Sequence, residues 1–506
     1  MELQITKDEV LKKSVRYMGV TEETVETVVN LPDYCAEINK AVNTSVTSNV
    51  NSVWVNSGKI VVDGNAVFRI LYTSDSGKCE VYETNVPFSK KIDIPGAAET
   101  DCVSVTACCE QTSCRVSGPR CAELKCSIAL DIRDEYIDKN EIVSSCAQPG
   151  IMKLERTYTK KALTACAVNT FTVSDSFDSR SGSDVKIYRT DVTACINEYK
   201  CIKNKMMLKG IYLLKIITLN DDGDLCTQNE SIQFSQIFDI DTLDENSECR
   251  NRLKVCSVNV SFSSDRTLQK GRFEISVTSV ATTDVYNDVL IRCIEDAFSP
   301  EYELSLSNGE IRCCELISEP SQLFRTSVKI DMSAYPDAEI ADICVRKLKY
   351  TSMISDGSWN VSGNIFFDII LKMPDSGYIF TQRAEDYSFS KPVDIDPAGV
   401  SCEAEMYINN MAFSPESDSS LAVDVEFNVS FIGVKNTDYK VVTDMSAGGV
   451  SAEKNDSCSL NVYFAEKGES VWSIAKSHKA DPVQIKELNS IDSDILDDKK
   501  TLIFSV

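Results

Sequence analysis

Twenty-one cysteines and one histidine, His478, set the chemistry this chain could do. A metal site would have to be built mainly from thiols and carboxylates. The densest thiol cluster is Cys102, Cys108, Cys109, Cys114, Cys121 and Cys126. It contains no C-x-x-C pair, the spacing that lets a structural zinc site take two ligands from one turn. The reading is therefore no metal and no cofactor. The cysteine count is odd, and MELQITKDEV has neither the basic nor the apolar region of a secretory signal. A reducing compartment and free thiols are expected, most of them small apolar core residues. Late oxidative cross-linking in a dormant shell is the alternative.

Catalytic constellations are scarce. One histidine removes most triads and most metal hydrolase sites. No G-x-S-x-G elbow, P-loop or G-x-G-x-x-G occurs, and Gly448–Gly449 has no helix after it. Carboxylates abound, but nothing places two of them on one cleft for glycoside cleavage. The expectation is a protein that is not an enzyme.

Candidate binding residues lie from Ser459 to Val506, which read as strand, turn, helix, helix, strand. Leu460, Val462 and Phe464 form the strand, and Gly468 turns the chain at low steric cost. Ser470 caps a helix carrying Val471, Trp472, Ile474 and Ala475. Asp481 and Pro482 start a second helix with Ile485 and Leu488 inward, and Leu502–Phe504 closes the unit. This order resembles the LysM domain, through Gly468, Glu469, Ser470, Val471, Trp472, Ile474 and Ala475, then Ile485 and Asn489. LysM domains bind chitin or peptidoglycan in a groove between the first turn and the loop after the second helix. The resemblance makes Gly468, Glu469, Ser470, Val471, Asn489, Ile491, Asp494 and Asp497 the candidate contacts. Glu469 and Ser470 replace the family's Asp and Thr, Lys499 or a neighbour replaces a distal Gly, and the closing Pro is missing. Trp472 reads as packing rather than sugar stacking. His478, beside Lys476 and Lys479, reads as exposed.

The chain that precedes this unit repeats itself. Ser57–Thr73, Lys203–Asn220 and Ser355–Lys372 align, each with a mid-strand glycine (Gly64, Gly210, Gly363) among alternating apolar residues. A second anchor follows as PFSKKIDI, QFSQIFDI and SFSKPVDI, with Phe88, Phe234 and Phe389 read as plugs between sheets. A cysteine comes next each time, at Cys102, Cys249 and Cys402. Period-two patterning with turns rich in Asp, Ser, Asn and Gly suits β-sandwiches, and the glycines suggest bulges or close approach. The fold class is mainly β: three tandem sandwich-like repeats plus a small βααβ domain. The boundaries read as a leader at 1–30 with some helical character, repeats at 31–137, 168–286 and 332–440, and connectors at 138–167 and 287–331. A loose linker at 441–457 then precedes the terminal domain at 458–506.

The repeat resembles the SPOCS domain of clostridial spore proteins, on the glycine strand, the F-S-x-x-[IVP]-D-I strand and DAFSPEYELSLSNGEI from Asp296 to Ile311. That resemblance implies a scaffold in spore-coat assembly, in the mother-cell cytoplasm at the forespore surface. Its partners would be a coat morphogenetic ATPase (SpoIVA-like), bound through the LysM-like domain, and other coat proteins along the repeats, raising avidity. The alternative is a peptidoglycan-binding LysM protein with the repeats as a stalk. A net charge of −25 argues against nucleic acid and anionic membrane surfaces. No apolar run reaches membrane-spanning length; Gly210–Asn220 is short and broken by Lys215.

Overall fold

The computed structural model describes residues 3–265, 270–374, 377–395, 398–417, 419–450 and 460–505. The first unit is six strands: β1 (Ile5–Asn30), β2 (Ile38–Asn56), β3 (Lys59–Ser74), β4 (Cys79–Asp93), β5 (Cys102–Gly118) and β6 (Cys121–Cys146). They make two antiparallel sheets, ordered β2-β3-β4 and β1-β6-β5, so the first strand pairs with the last. Ile60, Phe68 and Ile70 of one sheet meet Leu124, Ile128 and Leu130 of the other in a single sandwich core.

The same order recurs twice. The second unit is β7 (Met152–Asp178), β8 (Lys186–Ile202), β9 (Lys205–Leu219), β10 (Leu225–Asp239), β11 (Glu248–Asp265) and β12 (Lys270–Phe298). The third is β13 (Tyr302–Asp331), β14 (Glu339–Ser355), β15 (Ser358–Met373), β16 (Gly377–Pro392), β17 (Val400–Ser417) and β18 (Ser420–Val450). Their sheets are β8-β9-β10 with β7-β12-β11, and β14-β15-β16 with β13-β18-β17. Mainly β with three sandwich units is therefore the fold.

The expected boundaries need correction. Residues 1–30 are not a leader, because Ile5–Asn30 is the edge strand that pairs with β6 along its whole length. Val10, Val25 and Val29 are the buried residues there, and the spacing of four between the last two fits a strand face as well as a helix face. The segments 138–167 and 287–331 are the ends and beginnings of the long strands β6, β7, β12 and β13, joined by short turns at 147–151 and 299–301. The supposed linker is, as far as Val450, the end of β18 paired with β13; 451–457 lie outside the described residues.

The repeated glycines have a steric cause. Gly64 lies opposite Phe88 and Gly210 opposite Phe234, each next to a register shift in the neighbouring strand. A Cβ at Gly64 would overlap the Phe88 ring and the Asn49 carbonyl oxygen; at Gly210, the Phe234 ring and the Cys195 carbonyl oxygen. The third unit departs from the expected alignment. Gly363 pairs with Tyr387, and Phe389 sits two residues on, opposite Val361 and stacked on Phe324 at 4.6 Å. That displacement accounts for the longer Gly-to-Phe spacing in this unit.

The units pack on one another. Strands β6, β12 and β18 touch pairwise, and each unit contributes to a shared core of Leu71, Cys79, Tyr188, Ile217, Cys344 and Ile370. A second shared core joins Ile142, Ile291, Cys313 and Val441 from the outer ends of the long strands. This is why β3 is buried over the consecutive run Ala66–Tyr72: one of its faces lines the sandwich and the other meets its neighbours. Ion pairs knit the seams. Lys13 of the first unit bridges Glu135 and the second unit's Asp284, at 2.6 and 2.5 Å. Arg252 returns to Glu135 at 2.8 Å, and Arg189 of the second unit reaches Asp368 of the third at 2.7 Å. Where the three units meet is a polar cavity of about 920 Å³, lined among others by Thr44, Thr190, Arg189, Asp191 and Asp368. Its charges pair internally, since Arg189 donates to both oxygens of Asp191 at 2.9 Å.

Candidate functional site: the C-terminal groove and its docking face

The C-terminal domain is β19 (Asn461–Ala465), α1 (Val471–His478), α2 (Pro482–Asn489) and β20 (Lys500–Phe504), with the two strands antiparallel. Ser470 caps α1 by accepting a hydrogen bond from the Ser473 amide at 3.0 Å. Asp481 caps α2 by accepting from the Val483 amide at 2.8 Å, with Pro482 in the first turn where a missing N–H costs nothing. Ala465, Val471, Ile474, Ala475, Ile485, Leu496, Leu502 and Phe504 form the core. Gly468 turns at φ +89°, a conformation that disfavours any residue with a Cβ.

The turn and the distal loop come together through main-chain hydrogen bonds. The Gly468 amide donates to the Leu496 carbonyl at 2.8 Å, the Leu496 amide to the Glu469 carbonyl at 3.0 Å, and the Val471 amide to the Asp494 carbonyl at 2.8 Å. Ser470 and Ile495 form a β-bridge between them. The two walls are thus zipped together by main-chain bonds.

Several candidate contact side chains hold this arrangement. Glu469 accepts from the Tyr463 hydroxyl at 3.2 Å and from the Glu466 amide at 3.0 Å. Asn489 donates to the Ile485 and Ile503 carbonyls and accepts from the Ile503 amide, each at 2.8 Å, tying α2 to β20. Val471 and Ile491 are buried, and Ser470 serves as a cap. Asp494 pairs with Lys486, whose hydrogen bond holds the carboxyl below its ordinary range. Gly468, Asp494 and Asp497 are exposed, and so are the apolar Leu488 in α2 and Ile495 in the loop, at 61% and 56%. His478 is exposed at the end of α1, with its ring against Tyr463 and Phe504.

A second face of the domain was not legible from its motif. Trp472 donates its indole N–H to Asp296 Oδ2 at 2.9 Å, and Lys476 reaches both oxygens of the same carboxylate at 2.6 and 2.7 Å. The Trp472 ring meets Phe298 edge-on at 5.0 Å, and Phe298 belongs to the domain's own core cluster, with Met152 packed alongside. Helix α1 is therefore docked on the tip of β12 and β7 in the second unit. A register shift between Ile294 and Asp296 interrupts β12's pairing with β7 immediately before Asp296. The signals in the sequence were a Trp, whose indole N–H wants an acceptor when buried, and the acidic stretch that begins at Asp296.

Comparison with known families agrees with this architecture. The family described as SipL, SPOCS domain matches residues 37–117 and 185–263, which run from the start of β2 into β5 and from β8 into β11. The LysM domain family matches residues 465–497. No curated protein matches the chain. Two segments of the chain thus match the SPOCS domain and one near its end matches the LysM domain, and the unmatched sandwich unit shares the strand order of the two matched ones. These are domains of a sporulation-related protein of peptidoglycan-binding type, and both families are non-catalytic binding domains. Among the described residues no helix is long and apolar enough to cross a membrane.

Proposed function

We propose that the chain is a non-enzymatic scaffold of the spore envelope, working at the forespore surface in the mother cell. Its LysM domain docks on a protein, the coat morphogenetic ATPase, in place of a glycan, and the SPOCS units hold further coat proteins. The observation that carries this reading is the use of the groove's polar side chains. Glu469, Ser470 and Asn489 spend their hydrogen bonds inside the domain. What the turn and loop offer outward is mixed acidic and apolar: Asp494 and Asp497 beside Ile495 and Leu488. A sugar is gripped by free polar groups around a stacking surface, whereas exposed apolar residues within a charged rim suit a protein interface.

The stalk alternative asks the three units to stand end to end. Their pairwise contacts and shared cores support a compact body instead. The test uses the full chain in two arms, binding to the purified coat ATPase and co-sedimentation with purified peptidoglycan. ATPase binding that Ile495→Asp abolishes, with no sedimentation, supports the proposal. Sedimentation without ATPase binding overturns it in favour of a wall-binding protein.

A further inference from the structure

We infer that Cys102 and Cys166 are a covalent staple site between the first and second units, a dithiol placed for oxidation by a small disulfide such as oxidised glutathione. Cys102 opens β5 in the first unit and Cys166 lies in β7 of the second. Their sulfurs are 2.8 Å apart. That is within about 1 Å of a disulfide bond, so the two sulfurs are already in contact. Neither thiol is fully buried, which leaves a small oxidant a way in.

The Cys102 thiol donates to Cys166 Sγ, and the nearby Lys13 ammonium favours the thiolate at either sulfur. Exchange that opens at either sulfur ends in the same disulfide. When it opens at Cys102, that thiolate attacks one sulfur of oxidised glutathione, breaking its S–S bond and releasing one glutathione thiolate. Cys166 gives its proton to that thiolate and attacks the Cys102 sulfur, forming the protein disulfide and expelling the second glutathione. Two protein thiols are oxidised and one small disulfide is reduced to two thiols.

The staple would sit on a seam already held by charge, since Lys13, Glu135, Arg252 and Asp284 meet between the same two units. The chain carries its own comparator in Cys201 and Cys249, 3.5 Å apart and both in the second unit. The inference is independent of the LysM domain's partner.

The test equilibrates the full, reduced chain in glutathione buffers of rising oxidised share, alkylates it, and maps cross-linked peptides by mass spectrometry. The expected result is a Cys102–Cys166 peptide at a buffer composition where Cys201 and Cys249 are still alkylated. It comes with the loss of two titratable thiols and an upward shift in melting temperature. Cys166→Ser, which changes the site little in size, is expected to stop at a glutathione adduct on Cys102 and to lose the melting shift. Its reduced form melting with the reduced parent shows that folding is not the cause. Cys102 and Cys166 both remaining alkylatable after Cys201 and Cys249 have joined overturns the inference, as does a Cys102 link to any other cysteine in the parent chain.

Discussion

Glu135 shows how a single carboxylate can hold two units together. Its side chain is almost fully buried, and burial alone would raise its pKa. Lys13 and Arg252 outweigh that cost and hold it at about 2, against an ordinary value of 4.5. A carboxyl depressed in the folded state stabilises the fold fully above its unfolded pKa and loses that contribution as pH falls through the folded value. The window here runs from about 4.5 down to about 2, and the shift corresponds to about 3 kcal/mol. Asp134 beside it is raised by burial and works in the opposite sense, so the net acid dependence is smaller. Glu135→Gln is expected to flatten the loss of stability between pH 4.5 and 2 in urea titrations. An acid limb of unchanged steepness would show that the seam charges do not carry it. At this scale the sequence was informative about the glycines, whose bulges followed from their place in apolar strands. It was uninformative about Glu135, because ion pairs between units depend on strands far apart in the chain.

At the level of elements, β1 and α1 carry the clearest lessons. Strand β1 is hard to read because Ile5–Asn30 is largely polar and buries only Val10, Val25 and Val29, too sparse a set to show a strand period. Removing residues 5–30 would strip β6 of one neighbour along its whole length and take Val25 and Val29 out of the first sandwich. The expected outcome is loss of soluble, folded chain, read by expression yield and thermal melting, whereas a dispensable leader would leave both intact. The two helices, by contrast, were legible to the residue, because Ser470, Asp481 and Pro482 mark their starts. What their pattern did not contain was the dock on Asp296. Asp296→Ala removes the acceptor for Trp472 and the partner of Lys476, and should weaken docking by about 1–2 kcal/mol. Faster amide exchange confined to α1 and the tip of β12, at an unchanged melting temperature for the body, is the expected signature. Unaltered exchange in α1 would show that Phe298 and Met152 suffice to hold it.

For the whole molecule, the shared cores predict cooperation. Three sandwiches strung on flexible connectors would melt as three transitions. Units that share Leu71, Ile217 and Ile370 in one cluster should unfold together. Calorimetry of the full chain is expected to show one dominant transition for residues 5–450, and three resolved transitions would contradict the packing. The tandem order was readable from the repeated glycine and Phe-Ser anchors. The closure of the units on one another was not, because the residues that make it alternate with sandwich-core residues on the same strands and look like ordinary burial.

The body is built from three like units, and among the described residues its LysM domain is seated on the second. A body of three like units seated through one of them presents those units to a surface in unequal ways. Each copy would land in one orientation, with the first and third units facing different neighbours from the second. A layer assembled from such copies would acquire direction from the first molecule laid down, and its stoichiometry at the foot would differ from its stoichiometry at the shoulders.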